Sequence, residues 1–229
     1  MPGITVEELK ELEFFRELQS STIQMVLEAG RVETYKKKEM LFHAKTVVDE
    51  VIIVLQGEVM LYNITKHGNR KIIFILGPGK LLNQSIVSDK PVPVFCEAAC
   101  NVRVLKVPRI TFTELMVRQP ELMCSVMKEY ERYLWRLSHQ LKNTTGNMQM
   151  ERKTAAKLWK LGRDFGVQEE DGVKINIELT ITLMADLLGA PRENVSRACK
   201  VLSDRKLICY KNKHFTLLDP DGLAEFYKR

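Results

Sequence analysis

What the sequence is missing narrows its class first. No apolar run approaches the ~18 residues that a membrane-spanning helix needs. The opening residues, Met-Pro-Gly-Ile-Thr-Val-Glu-Glu-Leu, lack the basic-then-apolar order of a secretory signal. A soluble, cytosolic chain without membrane association is therefore expected. Cysteine is sparse: Cys96, Cys100, Cys124, Cys199 and Cys209 form an odd set with no Cys-x-x-Cys pair. Buried free thiols are the default for such a set, rather than a disulfide frame. His43, His67, His139 and His214 are scattered and match no metal-ligand spacing, so no metal site is expected. Nucleophile elbow, phosphate loop and Gly-rich dinucleotide motif are all absent. Among enzymes only a cupin-like β-roll competes. That chemistry needs clustered histidines and a carboxylate, whereas His43 and His67 are separated by whole strands.

The 229 residues are enough for one or two domains, and an apolar content of 45% can fill a core. Net charge is +6, which suits a polyanionic partner as well as an ordinary solvated surface. Thr5 and Glu8 have the spacing of a capping box, which satisfies two orphan donors at a helix start. Phe14, Phe15, Leu18, Ile23, Val26 and Leu27 follow at helical spacing, and Gly30 is placed to stop the helix.

From about Val32 the pattern becomes β-rich. Met40–Phe42, Val51–Leu55, Val59–Tyr62, Ile72–Leu76 and Val102–Val107 read as short strands. Gln56-Gly57, His67-Gly68-Asn69 and Gly77-Pro78-Gly79 separate several of them with turn chemistry. Such a series predicts a small antiparallel sandwich or barrel. Pro108 ends it, and residues 113–118 read as a short helix. Pro120 suits a first helical turn, where its missing N–H is not needed. The helix then runs unbroken from Glu121 to about Lys142. Leu122, Val126, Tyr130, Tyr133 or Leu134, Leu137 and Leu141 approximate a heptad seam. Two readings of it stand open, a short coiled coil and a helix packed on the sheet. Asn143-Thr144-Thr145-Gly146-Asn147 is a breaker and a domain boundary. The divisions expected are 1–119 for sensing, 120–147 for a dimerisation helix and hinge, and 148–229 for a second domain.

In that last part, Glu151–Phe165 is helical, Gly166–Lys174 is an acidic loop, and Lys174–Leu179 is a short strand. Two helices follow, Thr180–Leu188 and Pro191–Arg205, joined by Gly189-Ala190. Thr180 or Thr182 can cap the first. Ala185 is small where the helices must approach, and Gly189 supplies the turn. Val195 and Leu202 face inward, which leaves Arg192, Glu193, Ser196, Arg197 and Lys200 outside. Arginine can pair with guanine O6 and N7, and glutamate can accept from cytosine N4. Lys200, Lys211 and Lys213, with Thr180 and Thr182, can meet phosphates. A hairpin around Lys211-Asn212-Lys213 forms a basic wing, and a short helix after Asp219-Pro220-Asp221 closes the chain. The alternative is an ordinary helical hairpin with a solvated charged face; the basic wing favours a DNA reader.

At Pro191-Arg192-Glu193-Asn194-Val195-Ser196-Arg197 the chain resembles the recognition helix of the Crp/Fnr family of transcription regulators. The resemblance extends over nearly the whole length. Phe14-Phe15-x-x-Leu18, Tyr35-Lys36-Lys37-x-Glu39-x-Leu41-Phe42, Leu55-Gln56-Gly57-Glu58-Val59 and Gly77-Pro78-Gly79 all resemble its segments. The resemblance implies an α+β protein with an N-terminal antiparallel β-roll of the cyclic-nucleotide-binding, jelly-roll type. A long dimerisation helix and a C-terminal winged helix-turn-helix complete it, and the open choice at Pro120 shifts to a coiled-coil homodimer. It further implies palindromic double-stranded DNA as partner, with RNA polymerase as another, for which the 166–174 loop is a contact candidate, a plain solvated loop being the preferred reading of those residues. Glu193 and Arg197 match the family's base-reading pair. Arg192 matches members of the cyclic-AMP receptor type, and Ser196 those of the fumarate–nitrate type. The mixture leans towards a TTGTGA-like half-site.

The resemblance weakens at the sensor. Nucleotide-binding members carry Gly-Glu and Arg-Ser after the Gly-rich turn, but here Gln84 replaces the glutamate and Val94-Phe95 the Arg-Ser. A buried cyclic phosphate would lose its charge-assisted partner. The iron–sulfur type needs an N-terminal cysteine cluster, and the first cysteine is Cys96. Pro2 resembles the carbon-monoxide-sensing haem type, but no histidine lies in the cassette. No resident cofactor is expected. A small, largely apolar effector is the first expectation, between roll and long helix at Asn83, Gln84, Ser85, Phe95, Tyr130, Tyr133 and Ser138. Haem or another redox or gas-sensing cofactor with unusual ligands is the second; Cys96 and Cys100 offer a redox pair, but two buried small hydrophobes in or beside a strand is the favoured reading. Regulation without an effector is the third.

Overall fold

The computed structural model describes residues 4–66, 68–144 and 148–228, with the side chains of 142–144 left aside. Pro2, His67 and residues 145–147 of the expected hinge thus lie outside the described residues. The chain divides into two compact units: residues 1–63 with 72–139, and residues 64–71 with 140–229.

The first unit opens with α1 (Val6–Lys10), capped as the Thr5–Glu8 spacing predicts. The Thr5 hydroxyl accepts from the Glu8 N–H at 3.2 Å, and the Glu8 carboxylate accepts from the Thr5 N–H at 2.8 Å. The apolar run after it is not continuous helix. It is interrupted by turns before α2 (Ser20–Ala29), and Phe14, Phe15 and Leu18 enter the core from those turns. Gly30 ends α2 in extended backbone rather than left-handed. A Cβ there would stand 2.8 Å from Leu105 Cδ1, so close approach to the sheet accounts for the glycine.

Seven strands follow: β1 (Arg31–Tyr35), β2 (Met40–Phe42), β3 (Glu50–Gln56), β4 (Val59–Ile64), β5 (Arg70–Leu76), β6 (Phe95–Ala98) and β7 (Val102–Pro108). They make two antiparallel sheets, in the orders β1-β7-β3 and β2-β6-β4-β5. Two hydrophobic clusters result. One packs α1, α2 and the Phe14-Phe15 segment on Val51, Ile53, Leu105 and Val107. The other fills the roll with Phe42, Ile52, Val54, Leu61, Phe74, Leu82, Val92, Val94 and Cys96. α3 (Arg109–Arg118) follows at Pro108, four residues earlier than residue 113, and α4 (Pro120–Thr144) starts on its proline.

The apolar spacing of α4 needs correcting. Leu122 and Val126 are wholly buried in the first cluster, and Tyr130 packs against it. Tyr133 and Leu137 pack on the second. That face is the contact with the roll. Met123, Met127, Leu134 and Leu141 form a separate, exposed apolar stripe at heptad-like intervals. Hydropathy alone marks both faces as apolar, so the seam expected from spacing spans the two.

The second unit holds α5 (Met150–Phe165), β8 (Gly166–Glu169), β9 (Gly172–Ile175), α6 (Ile181–Leu188), α7 (Arg192–Asp204), β10 (Ile208–Lys211), β11 (His214–Leu217) and α8 (Pro220–Lys228). The expected acidic loop at 166–174 is in fact the β8–β9 hairpin, and the expected strand at 174–179 ends at Ile175. All four β8 residues are exposed, so no buried alternation marks it in sequence. These strands complete a sheet in the order β10-β11-β9-β8. Two thiols also depart from the buried default, since Cys124 and Cys209 are exposed. Among the described residues, no helix is long and apolar enough to cross a membrane.

Candidate nucleic-acid interface

The helix pair α6–α7 is built by local chemistry. Thr180 is the N-cap of α6, its hydroxyl accepting from the Leu183 N–H at 3.1 Å. That satisfies one orphan donor and leaves the hydroxyl hydrogen to donate. Thr182, two residues on, is exposed. Gly189 ends α6 at φ 62°, ψ 41°, a left-handed conformation that glycine adopts without a Cβ clash. The Ala190 N–H returns to the Ala185 carbonyl at 3.1 Å, and Pro191 then starts α7.

One face of α7 is core. Val195, Ala198 and Leu202 are fully buried and Cys199 nearly so, where α7 packs on α5 and α6. Burial pushes the Cys199 thiol up to about 11, as befits an inert packing residue. The opposite face carries Arg192, Glu193, Ser196, Arg197 and Lys200, all exposed. Five polar groups thus share the outward side of a helix whose N-terminus is free of core contacts. Burial on the other side fixes their orientation.

The wing is equally specified. β10 and β11 pair from Ile208–Leu217 to Lys211–His214, and the turn residues Asn212 and Lys213 have φ of 50° and 62°. Two consecutive positive-φ residues make the tight hairpin turn whose twist matches the strands. The Lys213 carbonyl accepts from the Leu179 N–H at 2.7 Å, tying the wing tip to the approach of α6. Lys211 and Lys213 both project into solvent. Sequence reasoning passed over Tyr210, which is 37% exposed on this wing with its ring 4.5 Å from Phe215. It lies two residues from buried Ile208, on the same face of the strand, so no alternation in the sequence sets it apart.

The expected sensor residues are only partly brought together. Asn83 is fully buried and spent on the backbone: its carbonyl oxygen accepts from the Ile52 N–H at 3.1 Å and its amide donates to the Glu50 carbonyl at 2.8 Å. Tyr130 on α4 donates to the Gln84 carbonyl at 2.9 Å, which joins the long helix to the segment after β5. Ser85, next along, is half-buried. Tyr133 packs edge-on to Phe74 at 4.8 Å, and burial pushes its hydroxyl up to about 12. Phe95 alternates with Cys96, so it lies on the other face of β6, stacked on Tyr62 at 5.3 Å. Ser138 is exposed on α4 and donates to its own Leu134 carbonyl. Val94 belongs to the apolar filling of the roll.

Two groups here were not foreseen. The Arg136 guanidinium covers the Phe74 ring at 4.7 Å; its i+3 spacing from Tyr133 was the clue. Glu129 is buried on α4, with Lys80 at 3.5 Å and Arg132 at 3.1 Å. Desolvation raises its carboxyl above the ordinary range against the pull of those two cations. Cys96 is buried, whereas Cys100 is half-buried with its thiol donating to the Glu58 carboxylate at 3.0 Å. Burial and that bond push the Cys100 thiol up to about 11.

A β-roll, a long helix and a winged helix-turn-helix define the class of one-chain transcription regulators. Comparison with known proteins makes this specific. Residues 32–119 match the cyclic nucleotide-binding domain and residues 132–226 match the Crp-like helix-turn-helix domain. The chain belongs to the Crp/Fnr family of transcription regulators, with a DNA-binding helix-turn-helix and a cyclic-nucleotide-binding-like roll. The global nitrogen regulator of Synechococcus elongatus is 22% identical over 217 residues, spanning 93% of this chain and 95% of that protein. The CRP-like cAMP-activated global transcriptional regulator of Mycobacterium tuberculosis is 24% identical over 177 residues, spanning 77% of this chain and 79% of that protein. In fold, a CooA variant from Carboxydothermus hydrogenoformans superposes with a TM-score of 0.76 at 20% identity, covering 99% of this chain and 97% of that one.

Proposed function

We propose that the protein is a cytoplasmic homodimer that binds palindromic operators and responds to a small effector other than cyclic AMP. The observation that carries the DNA half is the segregation of α7, with a wholly buried face and Arg192, Glu193, Ser196 and Arg197 opposite it. In this reading those four contact base edges in the major groove, Arg197 and Glu193 as the principal pair. Thr180, Thr182, Lys200, Lys211 and Lys213 contact phosphates and set the register. The exposed stripe Met123, Met127, Leu134 and Leu141 supports a parallel pairing of α4 between two copies. Twofold symmetry then asks for half-sites about one helical turn apart. RNA polymerase is the further macromolecular partner, and the β8–β9 hairpin the surface proposed for it.

The sensing half rests on what fills the roll. The buried polar side chains of the first unit, among the described residues, are Thr22, Asn83, Lys106, Ser125 and Glu129, with no arginine among them. An apolar or neutral effector near Gln84, Ser85, Tyr130 and Tyr133 would act through the Tyr130–Gln84 contact with α4. It can shift the DNA-binding equilibrium only by its differential affinity for the two states. A salt-dependent gel shift on palindromic DNA tests the DNA half. Wild type should lose affinity steeply with salt yet keep its site preference. Arg197→Ala should lose the preference and remain a dimer. Equal discrimination by the two proteins would show that the reading helix is misplaced.

A further inference from the structure

An arginine that reads DNA has a conformational problem. Its long side chain is exposed, and ordering it at the moment of binding costs up to ~2 kcal/mol of rotamer entropy. Arg197 is not left to wander here. Its guanidinium donates to the Asn194 side-chain carbonyl at 2.5 Å, one helical turn earlier on α7. Three residues at ~100° each place Asn194 about 60° round the helix from Arg197. That is the flank of the reading face, and Asn194 is accordingly half-buried while Arg197 is exposed. The bracket is therefore anchored at the edge of the core and holds the guanidinium from the side.

The chemistry of the bracket matters as much as its position. A guanidinium has five N–H donors, and the Asn194 oxygen takes one of them here. The remainder are enough for the two parallel bonds that guanine O6 and N7 accept. The acceptor is also neutral. A carboxylate at 194 would form a charge-assisted pair, roughly twice as strong, and would compete with the base for the guanidinium. An alanine would leave it unheld. We propose that Asn194 is a positioning residue that pre-orders Arg197 for guanine, and so sharpens base discrimination without being the principal reader itself. This rests on the assignment of Arg197 as a base reader.

The test uses the full-length protein, a palindromic duplex selected by the wild-type chain from random DNA, and duplexes in which each half-site guanine is replaced in turn. Asn194→Ala should weaken binding to the selected duplex by about fivefold per half-site, the worth of one ordinary hydrogen bond. Binding to the duplex lacking the guanine that Arg197 reads should not change, and neither should the circular dichroism spectrum. In an Arg197→Ala background, adding Asn194→Ala should make no further difference. Unchanged or tighter binding by Asn194→Ala overturns the proposal, and so does an effect that persists without Arg197. The two layers come apart cleanly. If Arg197→Ala loses guanine preference while Asn194→Ala keeps it, only the positioning role falls. If Arg197→Ala keeps the preference, the reading assignment falls and the positioning role with it.

Discussion

The two faces of α4 make opposite predictions for similar substitutions. Met127 is 57% exposed and Leu134 is 63% exposed. Truncating either to alanine removes three heavy atoms, worth about 2.4 kcal/mol on full burial at ~0.8 kcal/mol per methylene. Roughly 60% of that burial is still to be gained on pairing, or ~1.5 kcal/mol at each site. With two sites on each of two protomers, Met127→Ala/Leu134→Ala should weaken the dimer by about 6 kcal/mol, a rise in Kd of roughly 10⁴. Leu122, on the other face, is fully buried in the cluster that packs α1 and α2 on the β1-β7-β3 sheet. Leu122→Ala should cost about 2–5 kcal/mol of folding free energy through the cavity it leaves. Sedimentation velocity over a concentration series, beside chemical denaturation, separates the effects. The double variant should sediment as monomer at micromolar protein while its roll stays folded, and Leu122→Ala should unfold at lower denaturant. A double variant that sediments like the wild-type dimer would refute the assignment of the exposed stripe.

Other parts of the molecule give further expectations. The Lys106 hydrogen bond holds the Glu33 carboxyl below its ordinary value, against burial and with help from Tyr35. A carboxyl lowered on folding stabilises above its unfolded value of 4.5, and that stability is lost as pH falls through the lower folded value. Glu33→Gln should therefore flatten the acid limb of the stability–pH curve, and an unchanged limb in a urea titration series would contradict it. On the wing, Lys211→Ala and Lys213→Ala should each reduce the salt slope of DNA binding by about one unit and leave site preference intact. A change in preferred bases would instead make the wing a reader.

Legibility in sequence followed local chemistry. The capping box, Pro120, Gly189 and the Asn212-Lys213 turn all use side chains or φ values that few residues can supply, so their elements could be placed without tertiary knowledge. β8 and β1 could not. β8 is fully exposed, and β1 carries Glu33 and Arg31 in an ion-pair network with Lys106 and Glu50. Neither shows clean apolar alternation, because their partners are polar or solvent. The long helix failed differently. Its two apolar faces are adjacent on the helix, and only the position of the roll tells which one is already covered. At the candidate DNA interface, the outward residues of α7 followed from helical periodicity, whereas the Asn194 bracket did not, since side-chain pairing on an exposed surface leaves no hydropathic trace. The sensor residues were least legible. Carrying a family cassette across a segment whose groups have changed identity could not show that Asn83 is consumed by β3 or that Phe95 faces the other way.

The central claim is that the chain reads DNA as a twofold dimer through α7. The direct measurement is selection of bound duplexes from random DNA by the purified wild-type protein, sequenced to give the preferred site. The account predicts enrichment of an inverted repeat with half-sites centred about one helical turn apart and a guanine in each half-site. Enrichment of an isolated half-site, or no enrichment above the starting pool, would contradict it.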